Sequence, residues 1–142
     1  ISLEVSPAAV SKSLPLLQSQ QMISISKDKS TKRLSITLSR DNPKVIDLKK
    51  VENLKLIVDS GFLDFLREKL AGRRIILFGS YSRGEDIESS DTDVVVIGKE
   101  KPIDASHYEK ALFRKINFNF YEDIPADKHL RNNLMRGIVL EG

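Results

Sequence analysis

The chain has 142 residues, 23 Lys and Arg against 20 Asp and Glu, and a formal net charge of +3. With 40% hydrophobic and 30% charged residues it can bury a core as one ordinary domain or two small ones, which excludes wholesale disorder. The absence of cysteine excludes a disulfide scaffold, Cys-ligated zinc and thiol catalysis, and two histidines leave little room for a His-rich metal site.

Ser6-Pro7 predicts a helix start, with serine as N-cap and proline at the first helical position. Val10, Leu14 and Leu17 then follow as a helical stripe, and Pro15 is expected to kink it. From Met22 the period changes to two. Ile23 and Ile25 alternate with serines, and Leu34, Ile36 and Leu38 do the same, which predicts a β-hairpin with residues 27–33 at its tip. Asp41-Asn42-Pro43 is turn chemistry and marks a module boundary. A helical stretch from Lys44 to Leu70 is expected to break near Ser60-Gly61. The apolar runs Ile75–Phe78 and Val94–Ile97 read as strands buried on both faces. Ser106 to Lys115 reads as a helix, Ile116 to Tyr121 as an alternating strand, and Pro125 to Met135 as a last helix capped by Gly137. Ile138–Leu140 adds a short strand. Phe62, Phe65, Phe113, Phe118 and Phe120 read as core, and His107 and His129 as surface residues.

The informative segment lies between the two buried strands. Gly79 and Ser80 leave the first, where a glycine admits a close ligand and a serine hydroxyl can hydrogen-bond a phosphate. Asp91 and Asp93 stand two apart at the start of the second, so both carboxylates point to one face. Such a pair repels unless a cation sits between, and hard oxygen ligands suit Mg²⁺. A phosphate-binding loop beside paired carboxylates is what metal-assisted phosphoryl or nucleotidyl transfer requires. Either element alone is an ordinary turn or strand end; together, at this spacing, they favour the functional reading.

The combination resembles the polymerase-β-like nucleotidyltransferase superfamily, with hydrophobic-Gly-Ser, a gap of ten residues, then Asp-x-Asp. Gly79-Ser80-Tyr81-Ser82-Arg83-Gly84 and Ser90-Asp91-Thr92-Asp93 are similar to its minimal nucleotidyltransferase group, with serine where alanine is usual. The resemblance runs from about residue 62 to the end, including Asn133 and Gly137-Ile138-Val139-Leu140. It implies that Gly79 and Ser80 bind a nucleoside triphosphate such as ATP, and that Asp91 and Asp93 hold Mg²⁺. Arg83 supports the loop or touches phosphate. The resemblance also implies a third carboxylate, acting as base, on the strand from Ile116 to Tyr121. That strand offers Asn117, Asn119 and Tyr121, and Asn119 is the expected counterpart. An asparagine cannot take a proton at neutral pH, so binding can survive while transfer slows. Glu122 or Asp123 would substitute only through a bulge or shifted register.

Residues 1–50 hold nine Lys and Arg against four Asp and Glu, whereas residues 51–142 hold fourteen against sixteen. The basic third resembles the later part of a winged helix-turn-helix domain. That implies a recognition helix presenting Ser11 and Lys12 to the major groove of duplex DNA, and a wing placing Lys27, Lys29, Lys32 and Arg33 on phosphate, with Arg40 extending the patch. The other reading is a helix-hairpin that docks on the second module or forms a homodimer. The chain opens at Ile1 rather than Met, as a fragment would, and Ile1 to Val5 reads as the remnant of a preceding helix.

The expected architecture is therefore α/β (α+β). A partial winged helix spans residues 1–42 and a connecting helix residues 43–61. A small mixed sheet with flanking helices, the nucleotidyltransferase fold, spans residues 62–142. The expected activity is Mg²⁺-dependent transfer of AMP from ATP to an acceptor hydroxyl, plausibly on a partner protein. The rival is a DNA-binding or antitoxin-like regulator that binds nucleotide with little turnover. No apolar run approaches the roughly 20 residues of a membrane span and no signal-peptide pattern is present, so a soluble cytoplasmic protein without a membrane partner is expected.

Overall fold

Ser6 starts the first helix as its chemistry dictates, its hydroxyl accepting from the Ala9 amide at 3.2 Å. Helix α1 (Pro7–Ser19) continues past Pro15 and contains no buried residue. The computed structural model describes residues 5–142, divided into two units at Ile46 and Asp47. The expected remnant of a preceding helix at Ile1 to Val5 falls almost wholly outside the described residues.

In the first unit α1 leads into an antiparallel hairpin of β1 (Ile23–Lys27) and β2 (Leu34–Leu38). Ile23 pairs with Leu38 and Ile25 with Ile36, so the predicted alternation gathers the apolar side chains on one face. Met22 and Ile23 are buried, but Leu34, Ile36 and Leu38 stay exposed. At the tip the Asp28 carboxylate accepts from the amide and hydroxyl of Thr31 and of Ser30, at 2.7–2.9 Å. Those bonds, the Thr31 amide foremost, hold the Asp28 carboxyl far below the usual carboxylate range. Asn42 accepts from the Lys44 amide at 2.9 Å and so caps α2 (Pro43–Asp59).

The second unit is built on a four-stranded mixed sheet in the order β5-β4-β3-β6. Its strands are β3 (Arg74–Phe78), β4 (Thr92–Ile97), β5 (Ile116–Tyr121) and β6 (Ile138–Glu141). β3 runs antiparallel to β4 and β6, and β4 parallel to β5 through the crossover helix α5 (Ser106–Leu112). The helical stretch breaks as expected, with Gly61 in the left-handed conformation before α3 (Phe62–Lys69). Ile57, Phe62, Leu66 and Leu70 pack with Ile75, Leu77, Val94 and Val96. Each such buried side chain contributes about 1.5–3 kcal/mol. The opposite face carries a smaller cluster of Ile76 and Val95 with Leu134 of α6 (Lys128–Met135).

Three expectations change. The last helix begins at Lys128 because Asp127 caps it, accepting from the Leu130 amide at 2.7 Å. Gly137 is not the helix cap, which is Arg136. A Cβ at Gly137 would lie 2.7 Å from Ile76 Cγ2 and from the Leu77 carbonyl, so this glycine permits close packing instead. Phe113 leaves the core: it ends α5 in the left-handed conformation (φ +53°) and is 77% exposed. Among the described residues no helix is long and apolar enough to cross a membrane.

Candidate active site

β4 alternates, so Val94 and Val96 enter the main core while Asp93 and Val95 face the other way. Asp93 is level with Phe78 on β3 and with Asn117 on β5. The Asn117 amide nitrogen donates to Asp93 Oδ1 at 3.1 Å and to Asp91 Oδ2 at 3.0 Å. One neutral group with two N–H bonds thus bridges two carboxylates that would otherwise only repel. Asp91 is exposed and Asp93 half-buried, so the pair is open to solvent.

Gly79 closes the site from β3. The chain turns there into the short helix α4 (Gly79–Arg83), with Gly79 in the left-handed region (φ +75°). A Cβ at this position would sit 2.5 Å from Asp93 Oδ2, so only glycine lets the turn lie against the carboxylate. Ser80 is half-buried beside it. Its carbonyl accepts from the Glu85 amide at 3.0 Å, and the Ser82 hydroxyl donates to the Gly79 carbonyl at 2.8 Å. Arg83 pairs with Glu85 of the same loop at 2.8 Å.

Behind the loop lies a polar cluster that no sequence pattern announces. Asp86 is 2% exposed. It pairs with Lys49 at 3.1 Å and with Arg114 at 2.8 Å, and accepts from Asn53 at 2.8 Å. The same Asn53 amide donates to the Tyr81 carbonyl at 2.8 Å. Burial pushes the Tyr81 phenol up to about 12 against the opposing charge of Arg114, so it stays protonated and donates to the Asn53 carbonyl at 3.4 Å.

The sequence profile of the family described as "Nucleotidyltransferase domain" matches residues 60–139, more than half of the chain. The chain belongs to this nucleotidyltransferase family. Two curated proteins of Methanocaldococcus jannaschii are similar to part of this nucleotidyltransferase. "Putative protein adenylyltransferase MJ0604" is 49% identical over 39 residues, covering 26% of this chain and 39% of that protein. "Putative protein adenylyltransferase MJ0141" is 54% identical over 37 residues, covering 26% and 35%. The match therefore spans little more than a third of either relative. No solved structure matches.

Within this nucleotidyltransferase domain the sequence-predicted residues separate. Gly79, Asp91 and Asp93 converge, with Ser80 in the same turn. Asn119 does not join them. It is level with Val95, two pairs further along the sheet, and is exposed. Asn117 is the residue of that strand that meets both carboxylates. Glu122 and Asp123 follow the far end of β5, where the Gly98 amide donates to the Tyr121 carbonyl, and the regular register puts about 13 Å of strand between Asn117 and Tyr121, the residue before them. In the other unit Ser11 and Lys12 are exposed on α1, and Lys27, Lys29, Lys32 and Arg33 are exposed around the hairpin tip.

Two convergent carboxylates and no soft ligand fit Mg²⁺, which is commonly held by one or two carboxylates together with substrate phosphates. Among the described residues no group of three or more His, Cys, Asp or Glu is placed to hold a metal without such help.

Proposed function

We propose that this domain binds ATP with Mg²⁺ and transfers AMP to an acceptor hydroxyl, with a partner protein as the acceptor class. The observation that carries the reading is the convergence of Asp91 and Asp93 against Gly79. Asp91 and Asp93 would hold the ion, and Gly79 and Ser80 would receive the triphosphate in the turn beside it. Bound there, Mg²⁺ would neutralise phosphate charge and make the acceptor hydroxyl more acidic. In the transfer the acceptor oxygen bonds to the α-phosphorus, the bond to the bridging oxygen breaks, and pyrophosphate leaves. The acceptor proton must also depart. Asn117 can orient the acceptor but cannot take that proton, so slow turnover is expected beside intact binding. The printed names of the two archaeal relatives support a protein acceptor.

Calorimetric titration with ATP, with and without Mg²⁺, tests the site on the native chain and on D91N/D93N. Saturable binding that needs Mg²⁺ and disappears in the double variant is the expected result. Equal binding by both proteins, or none by either, overturns the reading.

A second reading is favoured by Asn117 in place of an acid: a DNA-binding regulator whose domain senses nucleotide with little turnover. Its DNA-binding part would use the helix and the basic hairpin tip of the first unit, with Lys27, Lys29, Lys32 and Arg33 on phosphate. Duplex binding that weakens with salt, and weakens again in K29A/K32A/R33A, supports it. Binding indifferent to those three changes removes the wing assignment.

A further inference from the structure

The two carboxylates of the proposed site are held from one short segment, residues 114–117, at the entry to β5. One Arg114 terminal nitrogen, Nη1, donates to the carbonyls of Ile87 and Ser90, at 2.7 and 2.8 Å. The Ser90 carbonyl belongs to the peptide group that joins Ser90 to Asp91, so the guanidinium fixes that plane. On the other side of Asp91, the Thr92 amide donates to the Lys115 carbonyl at 2.8 Å. Asn117 then holds the Asp91 carboxylate itself at 3.0 Å. Asp91 is thus fixed before, after and at its side chain.

The guanidinium is fixed in its turn. Its other terminal nitrogen, Nη2, meets Asp86 at 2.8 Å, and the group stacks 5.0 Å from the centre of the Tyr81 ring in the Gly-Ser helix. The Arg114 side chain is only 16% exposed, so a buried counter-ion is needed there, and Asp86 supplies it. Between Gly84 and Asp91 the backbone has no helix or strand to set its path. It closes instead into a turn, with the Ser90 amide donating to the Ile87 carbonyl and the Ile87 amide to the Ser90 hydroxyl, wrapped on the guanidinium. A lysine cannot reproduce this arrangement, because one ammonium cannot span two carbonyls, a carboxylate and a ring face.

We propose that Arg114 is the positioning residue of the carboxylate site, with Asp86 as the counter-ion that keeps it in place. The assignment of a function to that site rests on the nucleotide-binding reading above; the positioning itself can be read without nucleotide. The experiment compares the native chain, R114K and L134A. L134A removes a buried side chain of α6 that packs with Ile76 and Val95. Two quantities are measured: Mg²⁺-dependent ATP affinity by calorimetry, and the Asn117 side-chain amide proton signals by NMR without ligand. R114K is expected to weaken the affinity about 10- to 100-fold and to move the Asn117 signals toward those of a solvated amide. L134A is expected to lower the Tm and leave both readings unchanged. Native-like Asn117 signals in R114K overturn the positioning role. A native chain that binds no ATP overturns the nucleotide reading, while the Asn117 signals still decide the role of Arg114. Should R114K not fold, D86E keeps the counter-charge but moves it by one methylene, and the same two shifts are expected.

Discussion

Two carboxylate sites stand five residues apart in the chain and meet opposite surroundings. Asp86 is buried and carries one charge against the two cations Lys49 and Arg114. Asp91 and Asp93 are open to solvent and, among the described residues, share the neutral amide of Asn117. The first site has all the positive charge it can use, so it acts as structure. The second keeps two negative charges with their hydrogen bonds arranged but not neutralised. The proposed place for a cation is therefore distinguished by charge left uncompensated, not by the number of acids nearby.

Removing the charge at each site should separate the two most sharply. D86A strands Lys49 and Arg114 and should cost about 3–5 kcal/mol of folding stability in urea unfolding. D91N/D93N, by contrast, should leave that stability near the native value. Adding a charge sharpens the comparison from the other side. N117D should place a base beside the pair and raise AMP transfer about 10²-fold or more in a radiolabelled-ATP assay, within the range general bases contribute. It should also lower apo stability, which Mg²⁺ should restore. A smaller effect is expected at Thr92, which is fully buried with no hydrogen-bond partner for its hydroxyl among the described residues. T92V keeps the shape and removes that orphan, so the Tm should be unchanged or slightly raised. The smallest effect belongs to Asp28, which is fully exposed at the hairpin tip. Its folded carboxyl lies below the unfolded value of 3.8, so its contribution is present above about pH 4 and lost as pH falls through the folded value. An NMR titration should find Asp28 still ionised at about pH 3.

Much of this was legible in the sequence, and the exceptions share a cause. The starts of α1 and α5, the hairpin, the buried strands and the Gly79, Asp91 and Asp93 convergence follow from periods, caps and spacing along a few residues. The choice between Asn117 and Asn119 does not, because both lie on the same face of β5. Only the parallel register with β4, fixed through the α5 crossover, decides between them. The partners of Asp86 come from α2 and from the entry to β5, up to 37 residues away in sequence for Lys49. Lone charged residues in a polar loop gave no sign of that association. Phe113 was read as core from its residue type. Its left-handed backbone turns the chain at the end of α5 and leaves the ring outside.

The close approach of Gly79 to Asp93 has a consequence best put as genetics. Since a Cβ at 79 would strike Asp93 Oδ2 at 2.5 Å, the two positions cannot vary independently. G79A should be strongly destabilised, by the clash and by a left-handed backbone that alanine tolerates poorly. Trimming the other side, as G79A/D93A, should recover the part due to the clash, measurable as a non-additive Tm in the double-mutant cycle. Relative to G79A, folding would improve and the proposed Mg²⁺ site would be gone. In the G79A background a screen for stable protein and a screen for Mg²⁺-dependent ATP binding would therefore select opposite residues at position 93, whereas with Gly79 in place the first screen would be indifferent there.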